Sequence, residues 1–291
     1  MDVMKLPVSI TKFAKQTESL PLDKIIRPKE FHVDHLSKDA LIPEDDETIT
    51  PSNFGTLLDF LTRYIILYDI NVFDLANIEL KHYLDAGLIS SDDFEEMVKK
   101  EERLQHLAEN IPNSYGFTNL DRIPDKVFNL GLDICAWEIA FRSGIYKKPV
   151  NYPNKITIEH LKLMMKRIDN FFMRYGRPRE TAFTASTKNG YLSGDGDYLL
   201  SHTIIDLKAS NKTTMQPYWV RQLLLYYTLG FYNHFNERVI KRLMIYNARV
   251  DTVFYINVTK VDKSVFEFVN DAAEKQSLIN EQVISQLNSL K

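Results

Sequence analysis

Residues 190–208 read GYLSGDGDYLLSHTIIDLK, and the reading of this stretch decides the fold. Two strand-like runs flank Ser201-His202, so the spacing predicts a hairpin closed by a two-residue turn. In such a hairpin the numbers of facing residues have a constant sum, which sets Asp197 opposite Asp206 and Asp195 opposite Lys208. Side chains alternate along a strand. Asp195, Asp197 and Leu199 are therefore expected on one face, joined there by Ile204, Asp206 and Lys208, with Thr203, Ile205 and Leu207 turned into the core. A register slip of one residue would separate the two acids.

Two carboxylates and an ammonium on a rigid sheet form the donor set for metal-assisted phosphodiester hydrolysis. A hard divalent cation, Mg2+ or Mn2+, takes oxygen ligands and keeps several waters. Asp197 and Asp206 supply such ligands, and the Leu207 carbonyl is a further candidate. The metal would polarise a phosphoryl oxygen and lower the pKa of a bound water. Lys208, two residues along the same face, is placed to orient that water or offset charge developing on the phosphorus centre. Asp197 and Lys208 are expected to face a wet cleft. The alternative is an unrelated mixed-sheet domain in which the charges merely pair.

Further residues extend the pattern. Gly194-Asp195-Gly196-Asp197 matches a GxxD strand motif, Asp206-Leu207-Lys208 a D/E-x-K motif, and Gln222 to Tyr226 (QLLLY) a QxxxY helix, in that order. From Glu180 to about Gly230 the chain resembles a PD-(D/E)XK nuclease of the RecB-type branch. The resemblance implies a restriction-endonuclease-like α/β fold, a mixed sheet flanked by helices, and metal-dependent cleavage of nucleic acid, DNA above all, in genome maintenance, phage processing or defence. It assigns metal binding to Asp197 and Asp206, assistance in catalysis to Lys208, and the border of the site to Gln222 and Tyr226. A catalytically inactive binding module of the same fold is the rival reading.

Gln222 and Tyr226 are spaced to share one side of a helix over 217–234, which opens on Pro217. The resemblance also calls for an acidic residue on an early core helix. Glu138, the odd acid in an apolar helix over 124–144, is preferred for catalysis and metal binding. Arg142, one turn on, could instead neutralise it in a structural ion pair. The competing position is Asp59 on a helix over 52–68, within Gly55-Thr56-Leu57-Leu58-Asp59, which resembles a GxxxH helix with aspartate where histidine is common.

At 291 residues, 44% hydrophobic and 26% charged, the chain can bury a sizeable core. It reads as a polar arm over 1–50, a helical region over 51–119 and a nuclease-like core over 120–291, unless the first core helix is 52–68. Helices are also expected at 72–87, 91–109, 157–175 and 262–289. Strands begin near Glu180, and two more surround Asn247-Ala248-Arg249. The single cysteine, Cys135, excludes an intrachain disulfide and fits a reducing cytoplasm. No Cys/His constellation suits zinc, and no apolar run is long enough to span a membrane. The N-terminus lacks the apolar block of a secretory signal, so a cytoplasmic location is expected. A net charge of −3 excludes coating of nucleic acid by bulk positive charge. Local phosphate contacts are sought instead in Arg174, Arg177, Arg179, Lys212 and Arg221. A protein partner or a second copy of the chain remains open.

Overall fold

The computed structural model describes residues 8–38, 41–114, 117–230 and 239–289. It is an α/β protein that divides into a sheet unit, residues 1–41, 176–208 and 212–291, and a helical unit, residues 42–175 and 209–211. This division differs from the expected arm, helical region and core. The arm contributes α1 (Ile10–Ala14) and strand β1 (His32–His35) to the sheet unit. Ile10, Phe13, Leu20, Ile25, Ile26 and Phe31 are buried in that unit's core. Their irregular spacing carries no helical or strand period, because one short helix and the turns between it and the edge strand each bury a few residues.

The helical unit comprises α2 (Pro51–Leu61), α3 (Asp74–Asp85), α4 (Ser91–Glu109), the two-residue strands β2 (Asn113–Ser114) and β3 (Phe117–Thr118), α5 (Asp125–Ser143) and α6 (Lys155–Tyr175). Thr50 caps α2 and Pro51 opens it, as the Thr-Pro-Ser sequence requires. The helix expected over 52–68 stops at Leu61 and passes into a π-helical turn, Thr62–Ile66. α4 begins with a capping box, in which Ser90 Oγ accepts from Asp93 N–H and Asp93 Oδ2 from Ser90 N–H, both at 3.1 Å. α5 is buried over most of its length, from Val127 to Ala140, and packs against α2, α3, α4 and α6. This explains why α5 and α6, expected in the nuclease-like core, belong to the helical unit: α5 is its centre.

The sheet unit continues with β4 (Glu180–Ser186), β5 (Ser193–Leu199), β6 (Thr203–Lys208), α7 (Pro217–Gly230), β7 (Arg242–Asn247), β8 (Thr252–Asn257) and α8 (Lys263–Ser289). The last four residues of the helix expected over 217–234 lie outside the described residues. The six strands are ordered β1-β8-β7-β6-β5-β4. Only β6 and β7 run parallel. That pairing needs a crossover, and the segment containing α7 provides it. α7 is buried along most of its length, with Trp219, Leu223, Leu224 and Leu225 in the core between the sheet, α1 and α8. Among the described residues no helix is long and apolar enough to cross a membrane.

Candidate active site

The site forms where β5 and β6 part. Across the Ser201-His202 turn, Leu200 N–H donates to the Thr203 carbonyl at 2.9 Å. Leu199–Ile204 and Tyr198–Ile205 are paired, in the register that the turn predicts. Beyond Tyr198 the ladder stops. There the Asp197 carboxylate replaces a backbone acceptor, its Oδ2 taking the Leu207 N–H at 2.6 Å. A central-strand donor that would otherwise lack a partner is thereby satisfied. On its other edge β6 pairs with β7 along all of Thr203–Lys208.

Side-chain alternation breaks at the same place. A Cβ at Gly194 would lie 3.0 Å from Ile10 Cβ, and one at Gly196 would lie 2.1 Å from Phe183 Cζ. Ile10 and Phe183 belong to the core that also contains Leu199 and Ile204. Positions 196 and 199 cannot share a face of a regular strand. The irregularity is at Ala182, left-handed at φ 55°, which is skipped in the β4–β5 ladder opposite Asp197. The expected common face of Asp195, Asp197 and Leu199 is therefore corrected. Asp195 turns away from the side of Gly194 and Gly196, and its Oδ1 accepts from Thr184 Oγ1 at 3.1 Å. Ile204 is core as well, so both faces of β6 are covered.

Lys208, expected to face a wet cleft, has a side chain only 17% exposed, and Asp206 is 1% exposed. Its Oδ2 forms an ion pair with Lys208 Nζ. The ammonium also donates to Gln222 Oε1 at 3.1 Å, and Gln222 Nε2 donates to Tyr226 Oη at 2.8 Å. Gln222 and Tyr226 do lie on one side of α7, one turn apart and buried. Tyr227 instead packs its ring on Phe266, with centroids 4.7 Å apart. Burial alone would pull the Lys208 pKa down, but the carboxylates of Asp206 and then Asp197 hold it above the ordinary lysine value. Burial first, then Asp206 and Asp197, push the Tyr226 phenol far above its usual range. Both carboxylates thus act on the same two groups.

Glu138 lies in the helical unit, where its Oε1 accepts from Arg142 Nη2 at 2.8 Å. Its rival Asp59 is close enough to act on it electrostatically, as is Arg63. Arg63 is itself held by Asp69 through Nε at 3.2 Å and Nη2 at 3.1 Å. The two alternatives for the early acid therefore meet in one ion-pair network around α2 and α5. Cys135 beside them is fully buried, and its thiol pKa is pushed well up, first by burial. Burial also raises the Glu138 pKa, with Arg142 opposing it. A raised carboxyl pKa removes stability as pH rises from the unfolded-chain value through the folded one. Glu138→Gln is accordingly expected to gain stability relative to the native chain between acidic and neutral pH. Denaturant unfolding at two pH values measures this, and a pH-independent difference would overturn the assignment.

Arg221, expected near the substrate, is buried, and its Nε donates to the Leu20 carbonyl at 2.7 Å. It tethers the N-terminal segment to α7. Arg174, Arg177, Arg179 and Lys212 are exposed. His202 Nδ1 is 2.9 Å from the Val239 carbonyl oxygen, which ties the turn to the chain entering β7. Sequence reading missed Asn247, fully buried and paired with Lys208 across β6–β7, its Nδ2 donating to the Lys212 carbonyl at 3.0 Å. A polar residue closing an apolar strand was its only signal.

Among the described residues no group of three or more His, Cys, Asp or Glu is arranged to hold a metal ion. The donors that the sheet itself gathers are two carboxylates, Asp197 and Asp206. Leu207, the third expected ligand, contributes its N–H to Asp197. A pair of aspartates suits an oxygen-seeking ion that retains waters, not a zinc ion needing a full protein cage. No protein-family model, curated protein or solved structure matches the chain.

Proposed function

We propose that this chain is a divalent-metal-dependent nuclease of the restriction-endonuclease-like type, hydrolysing phosphodiester bonds of DNA in genome maintenance, phage processing or defence. The observation that supports this most is the convergence of Asp197 and Asp206 on the Lys208 ammonium where β5 and β6 part. Asp197 and Asp206 would hold Mg2+ or Mn2+, which when bound supplies Lewis-acid polarisation and a more acidic water. Lys208 keeps its proton at neutral pH and presents positive charge to a phosphoryl oxygen. Gln222 fixes the ammonium, and Tyr226 fixes Gln222. None of these groups needs to reorganise as charge develops. Glu138 would join this machinery only if its charge, and not its ion pair, proves necessary for cleavage.

The test is incubation of the purified chain with linear, circular and single-stranded DNA and with RNA, in Mg2+, Mn2+ or EDTA. Metal-dependent cleavage of DNA is expected. Asp197→Asn, which keeps an oxygen for the Leu207 N–H, should reduce the rate by about 10²–10³-fold, as loss of one electrostatic group in a site typically does. Full activity in this variant would refute the assignment. The inactive-module reading draws on the Lys208–Asp206 pair, which satisfies both charges without a metal. It predicts DNA retention in EDTA with no cleavage under any condition.

A further inference from the structure

The helical unit contains a cavity of about 440 Å³ that has no part in the proposed chemistry. Its floor is one row of α5, Leu132, Ala136 and Ile139, spaced at helical intervals. One wall is the segment entering α2, including Ile49 and Thr50, and the other is the loop that follows α5. That loop is anchored at both ends. The Tyr146 N–H donates to Tyr83 Oη at 2.9 Å, and the Tyr146 ring stacks on Trp137 with centroids 3.8 Å apart. Farther on, Tyr152 Oη donates to Asp133 Oδ1 at 2.6 Å. Thr48 joins the walls, its Oγ1 donating to the Tyr152 carbonyl at 2.6 Å. Val150, between these anchors, is 91% exposed, and Ile145, just before the first, is 59% exposed; both line the cavity.

The lining defines the ligand. Half of its fourteen lining residues are apolar and none is aromatic, so it offers no stacking surface for a nucleobase. Its charged members are Lys147 and Lys148, and no carboxylate lines it. Asp93 at the start of α4 feels the charge of Lys148. The volume lies in the range of small-molecule sites, which are typically apolar with a few placed polar groups. We infer that this cavity binds a medium-chain aliphatic carboxylate, with the alkyl chain along Leu132, Ala136 and Ile139 and the carboxylate on the Lys147-Lys148 pair.

Three probes of equal chain length test the inference by calorimetric titration of the full chain: decanoate, decanamide and decyltrimethylammonium, each below its micelle concentration. Decanoate should bind with micromolar affinity, decanamide at least tenfold more weakly, and the cation weakest. The double variant Lys147→Ala, Lys148→Ala should weaken decanoate about tenfold and leave decanamide unchanged. Ala136→Phe should block both by filling the floor. Because a core substitution can disturb folding, Val150→Glu at the exposed mouth provides an independent check and should weaken decanoate by repulsion. Absence of decanoate binding, equal binding of the three probes, or decanoate binding indifferent to Val150→Glu and to the double lysine variant would overturn the inference.

Discussion

Replacing Lys208 with methionine is expected to lower stability by about 3–5 kcal/mol, the cost of leaving a buried carboxylate without its cation. The Lys208 side chain is 17% exposed and Asp206 1%, so water cannot substitute for the ammonium. The sign of the pH dependence follows. Without Lys208, burial raises the Asp206 pKa, and protonation removes the uncompensated charge. The deficit should therefore shrink as pH falls. Denaturant unfolding at neutral and acidic pH would measure it, and an equal deficit at both would assign the loss to packing. Asp206→Asn combined with Lys208→Met should recover most of the stability while leaving any cleavage abolished. This separates the structural debt of the ion pair from its chemistry, which a single lysine variant cannot do.

Gly196→Ala should be similarly damaging for a steric reason. The new methyl would lie 2.1 Å from Phe183 Cζ and 2.6 Å from both Cε atoms. Phe183 is buried and meets Tyr226 edge-on, with centroids 6.0 Å apart, so its ring can shift only against packed neighbours. A cost of at least about 1–3 kcal/mol is expected from overpacking, with displacement of Asp197 next door and a fall in cleavage rate. Phe183→Leu in the same chain should restore part of both. Gly55→Ala is the matched control: nothing lies within 4 Å of the added methyl, and alanine inside helix α2 should stabilise by about 0.5–1 kcal/mol. If both glycine variants behave alike in thermal unfolding, the steric account fails.

The hairpin register was legible at Leu199–Ile204 and Tyr198–Ile205, because local residues dictate a two-residue turn and the turn fixes the pairs nearest it, whereas the expected pairs Asp197–Asp206 and Asp195–Lys208 fall beyond the end of the ladder. Helix α4 was legible for a similar reason, since Ser90 and Asp93 mark its start and its charges repeat at helical spacing. The kink at Ala182 was not legible. Alanine does not favour the left-handed region, so nothing in its identity signals the conformation it takes. The elements of the N-terminal arm were not legible because a short edge strand such as His32–His35 is mostly exposed, leaving no alternation to detect. The spacing of Asp197, Asp206, Lys208, Gln222 and Tyr226 made their meeting in one place legible, but the depth of Asp206 was not. Depth comes from β7, which lies more than thirty positions along the chain and pairs with β6 only in three dimensions.

The β6–β7 pairing also bears on how the molecule assembles. The turn at Ser201-His202 can close early, since its partners are neighbours, whereas β7 must arrive from beyond a helical crossover. Until it does, the amine of residue 208 and the acid of residue 206 remain hydrated on an open hairpin edge. The work of stripping their water then falls on the slow, long-range step, so the charges most suited to chemistry are also a brake on the closing of the sheet.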